Sequence, residues 1–329
     1  DRWADNKGIL VMGTGDFTHP GWFKEIQEKL EPAEPGLFRL KKNLKMLGMR
    51  GTAAETRFML TAEVSNIYSR AGRVRRVHNL MFAPDFATAG KINTQLSWVG
   101  KLASDGRPIL GLDSEELARI VFETSDETVV VPAHAWTPWF SVFGSMSGFD
   151  SLEECYGKYT DRIFAIETGL SSDPGMNWRL SKLDNISIIS NSDSHSLHRI
   201  GREANVFDVE PSYRNIMEAI KSRDPEKFIM TLEFFPEEGK YHFDGHRNCE
   251  VIFSPSESKK YNNICPKCGK PLTIGVMNRV EKLADRGEGF RDPKRVPYKN
   301  LIPLDEIIAE AVGMGVGTKR VEAEYENLV

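Results

Sequence analysis

ISIISNSDSH, residues 186–195, is the stretch on which the fold turns. Ile186, Ile188 and Ile189 give a short apolar run with the length and composition of a buried strand, and the run stops in an Asp-x-His pair, Asp193 and His195. The same syntax recurs upstream. Asp16 and His19 follow an apolar run in GTGDFTHP, Glu63 ends FMLTAE, His78 lies in RRVHNL, His134 ends VVVPAH and Glu167 ends IFAIE. Short buried runs that each deliver an acid or a histidine place those side chains on one face when strands alternate with helices around a parallel sheet or barrel.

The pattern predicts strands over 9–12, 58–62, 74–82, 128–132, 163–166, 186–190 and 228–232. Between them, helical spacing of apolar residues covers 22–30, 37–47, 86–102, 113–124, 176–183 and 213–222. Asp113 followed by Glu116 reads as a capping box. The polar segment 48–54 and Asp105-Gly106 read as loops. The expected architecture is α/β, with a barrel-sized set of strands over residues 1–235, a small metal module over 236–286 and a helical tail over 287–329. In the tail, Leu304, Ile307, Ile308, Ala311 and Val312 mark one helical face that Gly313 stops.

The 329 residues are 40% hydrophobic and 27% charged, which excludes disordered, collagenous and coiled-coil classes. Lys and Arg total 43 against 47 Asp and Glu, so a nucleic-acid partner would be held by a local basic surface and not by a global field. The longest uncharged stretch, 128–149, is broken by Pro132, Pro138, Gly144 and Gly148, so no membrane span is expected, and no signal peptide is visible. Cys249, Cys265 and Cys268 crowd near a histidine, which suits metal binding in a reducing cytoplasm better than a disulfide framework.

Carboxylates mixed with imidazoles suit Zn, Mn or Fe better than Mg alone, and several such groups converging imply more than one ion. These motifs resemble the PHP (polymerase and histidinol phosphatase) family of metal-dependent phosphoesterases. That resemblance implies a distorted seven-stranded (β/α)7 barrel holding two to three divalent metals (Zn, Mn, Mg or Fe). It also implies a ligand set of Asp16, His19, Glu63, His78, His134, Asp193 and His195, with Glu63 bridging metals and Asp193 the residue most damaging to lose. Either Asp16 or His19 is the direct ligand of its motif. The family opens with a strand carrying His-x-His, and none occurs here. With Asp1 already in a helical pattern, a preceding strand is expected to be missing, and a chain without it to show partial metal occupancy and little activity.

His246-x2-Cys249, then Cys265-x2-Cys268, is the ligand spacing of a closed tetrahedral structural zinc site, with His242 a competitor for the histidine position. Arg247, Lys259, Lys260, Lys267, Lys270 and Arg279 outnumber the acids there, and Arg70, Arg73, Arg75 and Arg76 form a second basic cluster; together they can grip phosphates. A PHP barrel followed by YHFDGHRNC, ICPKCGKPLTIGVMNRVEKLADR and LIPLDEIIAEAVG resembles the endonuclease Q group over nearly the whole sequence. The resemblance implies a DNA-repair hydrolase that cuts 5′ of deaminated bases such as uracil, hypoxanthine or xanthine, or at abasic sites. Relatives in that group run further at the C-terminus.

An enzyme of that kind needs a pocket for a flipped base beside the metals. Trp136, Trp139 and Phe140 after His134, and Ser171 and Ser172 after Glu167, are the expected lining, and Arg75, Arg76, Lys259, Lys260, Lys267 and Lys270 the expected phosphate contacts. GMGVGTKRVEAEYENL is weakly like a helix-hairpin-helix, though a Gly-rich helix connection accounts for it better. Two rivals stay open: a small-molecule phosphoesterase of the histidinol phosphatase type, and a non-catalytic DNA-binding scaffold associated with a sliding clamp.

Overall fold

The computed structural model describes residues 1–46, 55–104 and 106–329. The loop expected over 48–54, and the Asp105 half of the expected turn, lie outside the described residues. The architecture is mixed α/β. Its strands are β1 (Val11–Gly13), β2 (Leu30–Pro32), β3 (Phe38–Leu40), β4 (Arg57–Arg70), β5 (Arg73–Ala83), β6 (Ile109–Leu110), β7 (Val129–Pro132), β8 (Ala165–Glu167), β9 (Ser187–Ile189), β10 (Ala204–Phe207), β11 (Phe228–Glu233), β12 (Asp244–His246), β13 (Val251–Phe253) and β14 (Tyr298–Asn300).

The main sheet runs β2-β3-β4-β5-β7, with β1 and β6 both pairing β4 in parallel, and β8 with β9 and β10-β11-β14 form separate small sheets. Among the described residues no sheet closes on itself, so the expected seven-stranded barrel is not formed as a continuous ladder. The reason is the hairpin β4–β5. Its strands are long and antiparallel, in register from Leu60↔Ala83 to Arg70↔Arg73, and joined by Ala71 and Gly72, both at positive φ as a tight two-residue hairpin turn requires. The hairpin fills one edge of each strand; the outer edge of β4 takes β1 and β6 in parallel, whereas that of β5 takes β7 antiparallel, and the ladder ends there.

The hairpin also moves one expected ligand. Glu63 is not strand-terminal but sits within β4, and His78 lies within β5 as its expected strand implied; the pairs Glu63↔Leu80 and Ser65↔His78 put both on one face as diagonal neighbours. The helix expected over 37–47 is replaced by β3 and a single 3-10 turn at Lys42–Leu44, because Phe38–Leu40 pairs antiparallel with Leu30–Pro32. The helix expected over 176–183 is two short turns, Pro174–Asn177 and Ser181–Leu183. Asp113 does cap the helix Ser114–Thr124, but it accepts from the amide of Glu115, and no reciprocal Glu116 contact makes a box.

The largest core cluster packs Leu60, Val64, Val77 and Met81 of the hairpin against Ile92 and Leu96 of the helix Phe86–Ser97, Leu117 and Val121 of the helix Ser114–Thr124, and Trp136 and Phe143. A second cluster seats the amphipathic helix Tyr213–Ser222 through Tyr213, Ile216, Met217 and Ile220 on Val129, Val131, Ala165 and Phe228. Each such buried side chain contributes about 1.5–3 kcal/mol. Small clusters lie in the cysteine module (Val251, Cys265, Leu272) and in the tail (Ile308, Ala309, Val321). Among the described residues no helix is long and apolar enough to cross a membrane.

Candidate active site

Five segments converge beside the β4–β5 hairpin. The loop after β1 is pinned to β4 by Thr14 N–H donating to the Met59 carbonyl at 2.8 Å and Gly15 N–H donating to Thr61 Oγ1 at 2.9 Å, which carries Asp16 alongside Glu63. Ala133 N–H donates to the His78 carbonyl at 3.1 Å, so the chain leaving β7 delivers His134 next to His78. Arg202 donates to the carbonyls of Ser192 and Asp193 at 2.8 and 3.3 Å, fixing the loop after β9 that bears Asp193. Asp16, His134 and Asp193 hold φ of 43°, 29° and 42°, in the left-handed region that costs a non-glycine residue about 1–3 kcal/mol. Gly169 makes room for one of them: a Cβ there would lie 2.5 Å from His134 Cβ.

At the centre, Glu63 Oε1 lies 2.9 Å from His78 Nδ1 and 3.4 Å from His134 Nε2, and the two ring nitrogens are 3.1 Å apart. Three ligand atoms so spaced resemble neighbouring corners of a coordination polyhedron, whose edges are ~3.0–3.4 Å for bonds of ~2.1 Å. Glu63 Oε1 is buried with no hydrogen-bond partner, which an ion among these atoms would supply. One carboxylate and two imidazoles are a donor set for Zn, Mn or Fe, so these residues fit a divalent metal. His134 is oriented from behind, its Nδ1 lying 3.1 Å from Thr137 Oγ1, which aims Nε2 at the cluster.

The electrostatics are those of a partly dry acidic site. Burial pushes the Glu63 carboxyl up, but His134, His78 and Arg107 outweigh it and hold it well below the usual range. Burial lowers His78, whereas His134 is raised on balance because Glu63 and Glu167 overcome its burial. Asp16 is raised by burial and by the neighbouring charge of Glu63. Arg107, absent from the sequence expectations, sits between acids: Nε is 2.6 Å from Glu63 Oε2, and Nη2 donates to Asp193 Oδ1 at 2.9 Å.

The remaining expected residues are more scattered. His19 caps the helix Pro20–Lys29, its Nδ1 accepting from Trp22 N–H at 3.3 Å, and His195 is an exposed ring with Nδ1 2.9 Å from the Asp193 carbonyl. Glu167 is buried behind the site, accepting from His134 N–H at 2.8 Å and Asn191 Nδ2 at 2.9 Å. Trp136 is buried in the core and donates to Asn177 Oδ1 at 2.7 Å, while Ser171 and Ser172 are also buried. Trp139 and Phe140 keep open surface: Phe140 lies tilted 4.7 Å from the His78 ring, Arg76 lies 5.9 Å over Phe140, and Trp139 meets Tyr241 at 6.2 Å. Arg75 is buried against the Phe149 ring at 4.1 Å, Lys259 pairs with Glu281 at 2.7 Å, and Lys260, Lys267 and Lys270 are exposed.

His246, Cys249, Cys265 and Cys268 bring their ligand atoms within 4.8 Å of one another, and none of the three cysteines is in a disulfide. Burial raises Cys265, but the amides of Cys268 and Lys267 donate to its sulfur and lower it on balance, as a thiolate ligand needs. The set fits a tetrahedral zinc. His242 takes no part in it; its Nδ1 lies 3.1 Å from the Ser171 carbonyl.

Behind Glu167, Glu233 is fully buried and accepts from the hydroxyls of Thr168 at 2.9 Å, Ser190 at 3.0 Å and Thr231 at 2.5 Å. Burial pushes its carboxyl from 4.5 up to about 7. A raised folded-state value means that its contribution to stability is fully present below the unfolded value and is lost as pH rises through about 7. Glu233→Gln is therefore expected to remove roughly 3 kcal/mol of pH dependence between pH 5 and 8, read by urea unfolding across that range. Equal slopes in both proteins would show that the buried carboxyl does not titrate there.

No family model matches the chain. It is 36% identical over 237 residues to an uncharacterized protein of Methanocaldococcus jannaschii and 30% identical over 324 residues to the uncharacterized protein YqxK of Bacillus subtilis. Those matches take in 68% and 97% of the chain; it spans 29% of the first relative's length and 76% of the second's. Among solved structures it matches the lesion-specific endonuclease PfuEndoQ of Pyrococcus furiosus with TM-score 0.82 and 32% identity, covering 99% of this chain and 75% of that one. A structure of endonuclease Q with a 27-mer duplex bearing an abasic lesion at its active site matches with TM-score 0.84 and 32% identity, covering 99% and 76%.

Proposed function

The chain belongs to the endonuclease Q family, and from that premise we propose that it is a metal-dependent DNA endonuclease that cuts beside damaged positions in DNA repair. The carrying observation is the convergence of Glu63, His78 and His134 in a chain matched along nearly its full length to a lesion-specific endonuclease. The PHP-type division, with residues 1–235 as the catalytic part, 236–286 as the zinc module and 287–329 as the helical tail, is part of this proposal. So is the finer specificity: hydrolysis 5′ of uracil, hypoxanthine, xanthine or an abasic position.

Glu63, His78 and His134 would hold a divalent metal, with Asp16 and Asp193 beside them for a second. A metal there supplies Lewis acidity toward the phosphate and lowers the pKa of water. The chain's own residues do the rest. Thr137 orients the His134 ring, with Nδ1 facing the hydroxyl and Nε2 facing the cluster. Glu167, its carboxyl pushed up to about 7 chiefly by burial, holds the His134 backbone by accepting from its N–H at 2.8 Å. Phe140 and Trp139 offer aromatic faces at the rim on which an unstacked base can rest, and Arg76 beside Phe140 suits the flanking phosphate.

Duplexes carrying one uracil, hypoxanthine or abasic position, incubated with Mn or Mg, test the proposal against an undamaged duplex and histidinol phosphate. A nick confined to the damaged strand, 5′ of the lesion, is expected. Hydrolysis of the phosphomonoester with every duplex left intact would replace this reading with a small-molecule phosphoesterase, and no hydrolysis at all with one zinc per chain would leave a binding scaffold.

A further inference from the structure

We propose that Arg107 binds the scissile phosphate, its guanidinium held in place by the two acids Glu63 and Asp193; this rests on the endonuclease reading and adds a substrate contact to it. Arg107 reaches the site from the segment that leads into β6. Pro108, next along, accepts from Ser65 N–H at 3.0 Å, and β6 pairs with β4 at Ser65 and Asn66, so the backbone of this segment is fixed to the strand that carries Glu63. Arg107 Nη2 donates to Asp193 Oδ1 at 2.9 Å, and Nε forms a close ion pair with Glu63 Oε2 at 2.6 Å without a hydrogen bond. Among the described residues Nη1 has no partner. A planar fork anchored on two edges presents its third nitrogen in a fixed direction, which a flexible ammonium cannot do.

The charge balance asks for such a group. Asp16, Glu63 and Asp193 surround the place a phosphodiester must reach, and Arg107 is the guanidinium whose charge acts on all three. Glu63 divides its oxygens: Oε1 faces His78 and His134, and Oε2 faces Arg107. A metal on the Oε1 side therefore leaves the Arg107 contact intact, so both positive charges can meet one phosphate from adjacent sides. A donor aimed at charge that grows in the transition state is worth on the order of 10²–10³-fold in rate.

The test compares the wild-type protein with Arg107→Gln and Arg107→Lys in three measurements: single-turnover cleavage of an abasic duplex, binding of inorganic phosphate in the presence of Mn, and Mn bound per chain. Arg107→Gln is expected to slow cleavage on the order of 10²-fold or more and to weaken phosphate binding about tenfold, with bound Mn unchanged. Arg107→Lys, which keeps the charge and the fold, should recover only part of each loss. Phosphate binding equal in wild type and Arg107→Gln would overturn the proposal, and so would a fall in bound Mn that parallels the lost phosphate, since Arg107 would then act only through the acids. A wild-type protein that cuts no DNA, yet loses phosphate affinity on Arg107→Gln, would sink the endonuclease reading and leave this assignment standing.

Discussion

Glu63→Gln is expected to slow cleavage of an abasic duplex on the order of 10³-fold or more while the protein still folds. Glu63 is the one acid that touches every other member of the centre: His78 at 2.9 Å, His134 at 3.4 Å and Arg107 at 2.6 Å. Gln matches it in shape but offers no negative charge, so metal affinity and the hold on Arg107 weaken together. Losing several kcal/mol of charge stabilisation in the transition state corresponds to a factor of that order. The fold has little reason to fail, because β4 and β5 are held by their ladder and core side chains and not by this carboxylate. Asp193→Asn should cost less, since Asp193 meets Arg107 at 2.9 Å and His195 at 3.8 Å and lies outside the Glu63-His78-His134 group. Single-turnover rates and metal content of both variants decide the matter. Wild-type rate and content in Glu63→Gln would remove Glu63 from the centre, and a larger loss in Asp193→Asn would move the centre of gravity to the loop after β9.

What was legible beforehand follows the physical range of each signal. The Cys-x2-Cys spacing is local, because four ligands in two close pairs can close around one ion whatever the rest of the chain does, and the structure brings the set together as expected. The helix Tyr213–Ser222 was legible because its apolar period and Ser212 cap act within the segment. Glu63, His78 and His134 could be picked out by residue type, but their contact comes from hairpin register, which the expected strands 58–62 and 74–82 understated. The spacing of Leu37, Leu40 and Leu44 suits a helix; only the pairing partner at Leu30–Pro32 turns part of it into β3, and a partner in a preceding strand leaves no mark in a helical wheel. Arg107 was illegible for a different reason. An arginine between Gly106 and Pro108 reads as a solvated loop residue, and its role depends on two acids far away in sequence. Thr137 and Gly169 likewise matter only through His134.

Cys265→Ser is expected to abolish zinc binding and to unfold residues 246–272 while the main sheet stays intact. The module's buried core is Val251, Cys265 and Leu272, with Cys249 and Phe253 partly covered, too small to order a segment of this length without a metal. Two of those contributors are themselves ligands, so loss of the ion removes the core with it. Structural zinc supplies about 10–16 kcal/mol in small zinc-binding peptides, far more than three side chains can. The damage should stop at the helix Val276–Leu283, because its anchors belong to the main body: Val276 and Val280 lie in the large core, and Arg279 donates to the carbonyls of Phe143 and Phe149 at 2.8 and 2.9 Å. Asp244, accepting from Gly275 N–H and Asn278 Nδ2 at 2.6 Å each, marks the seam between the two regions. Hydrogen exchange should therefore show protection lost over 246–272 and kept over 276–283, with about one zinc fewer per chain. Protection kept in both stretches would mean that the module stands without its ion. Loss in both would mean that the zinc fastens the helix as well, making the basic surface of the module and the active-site rim near Trp139 and Tyr241 one mechanical unit.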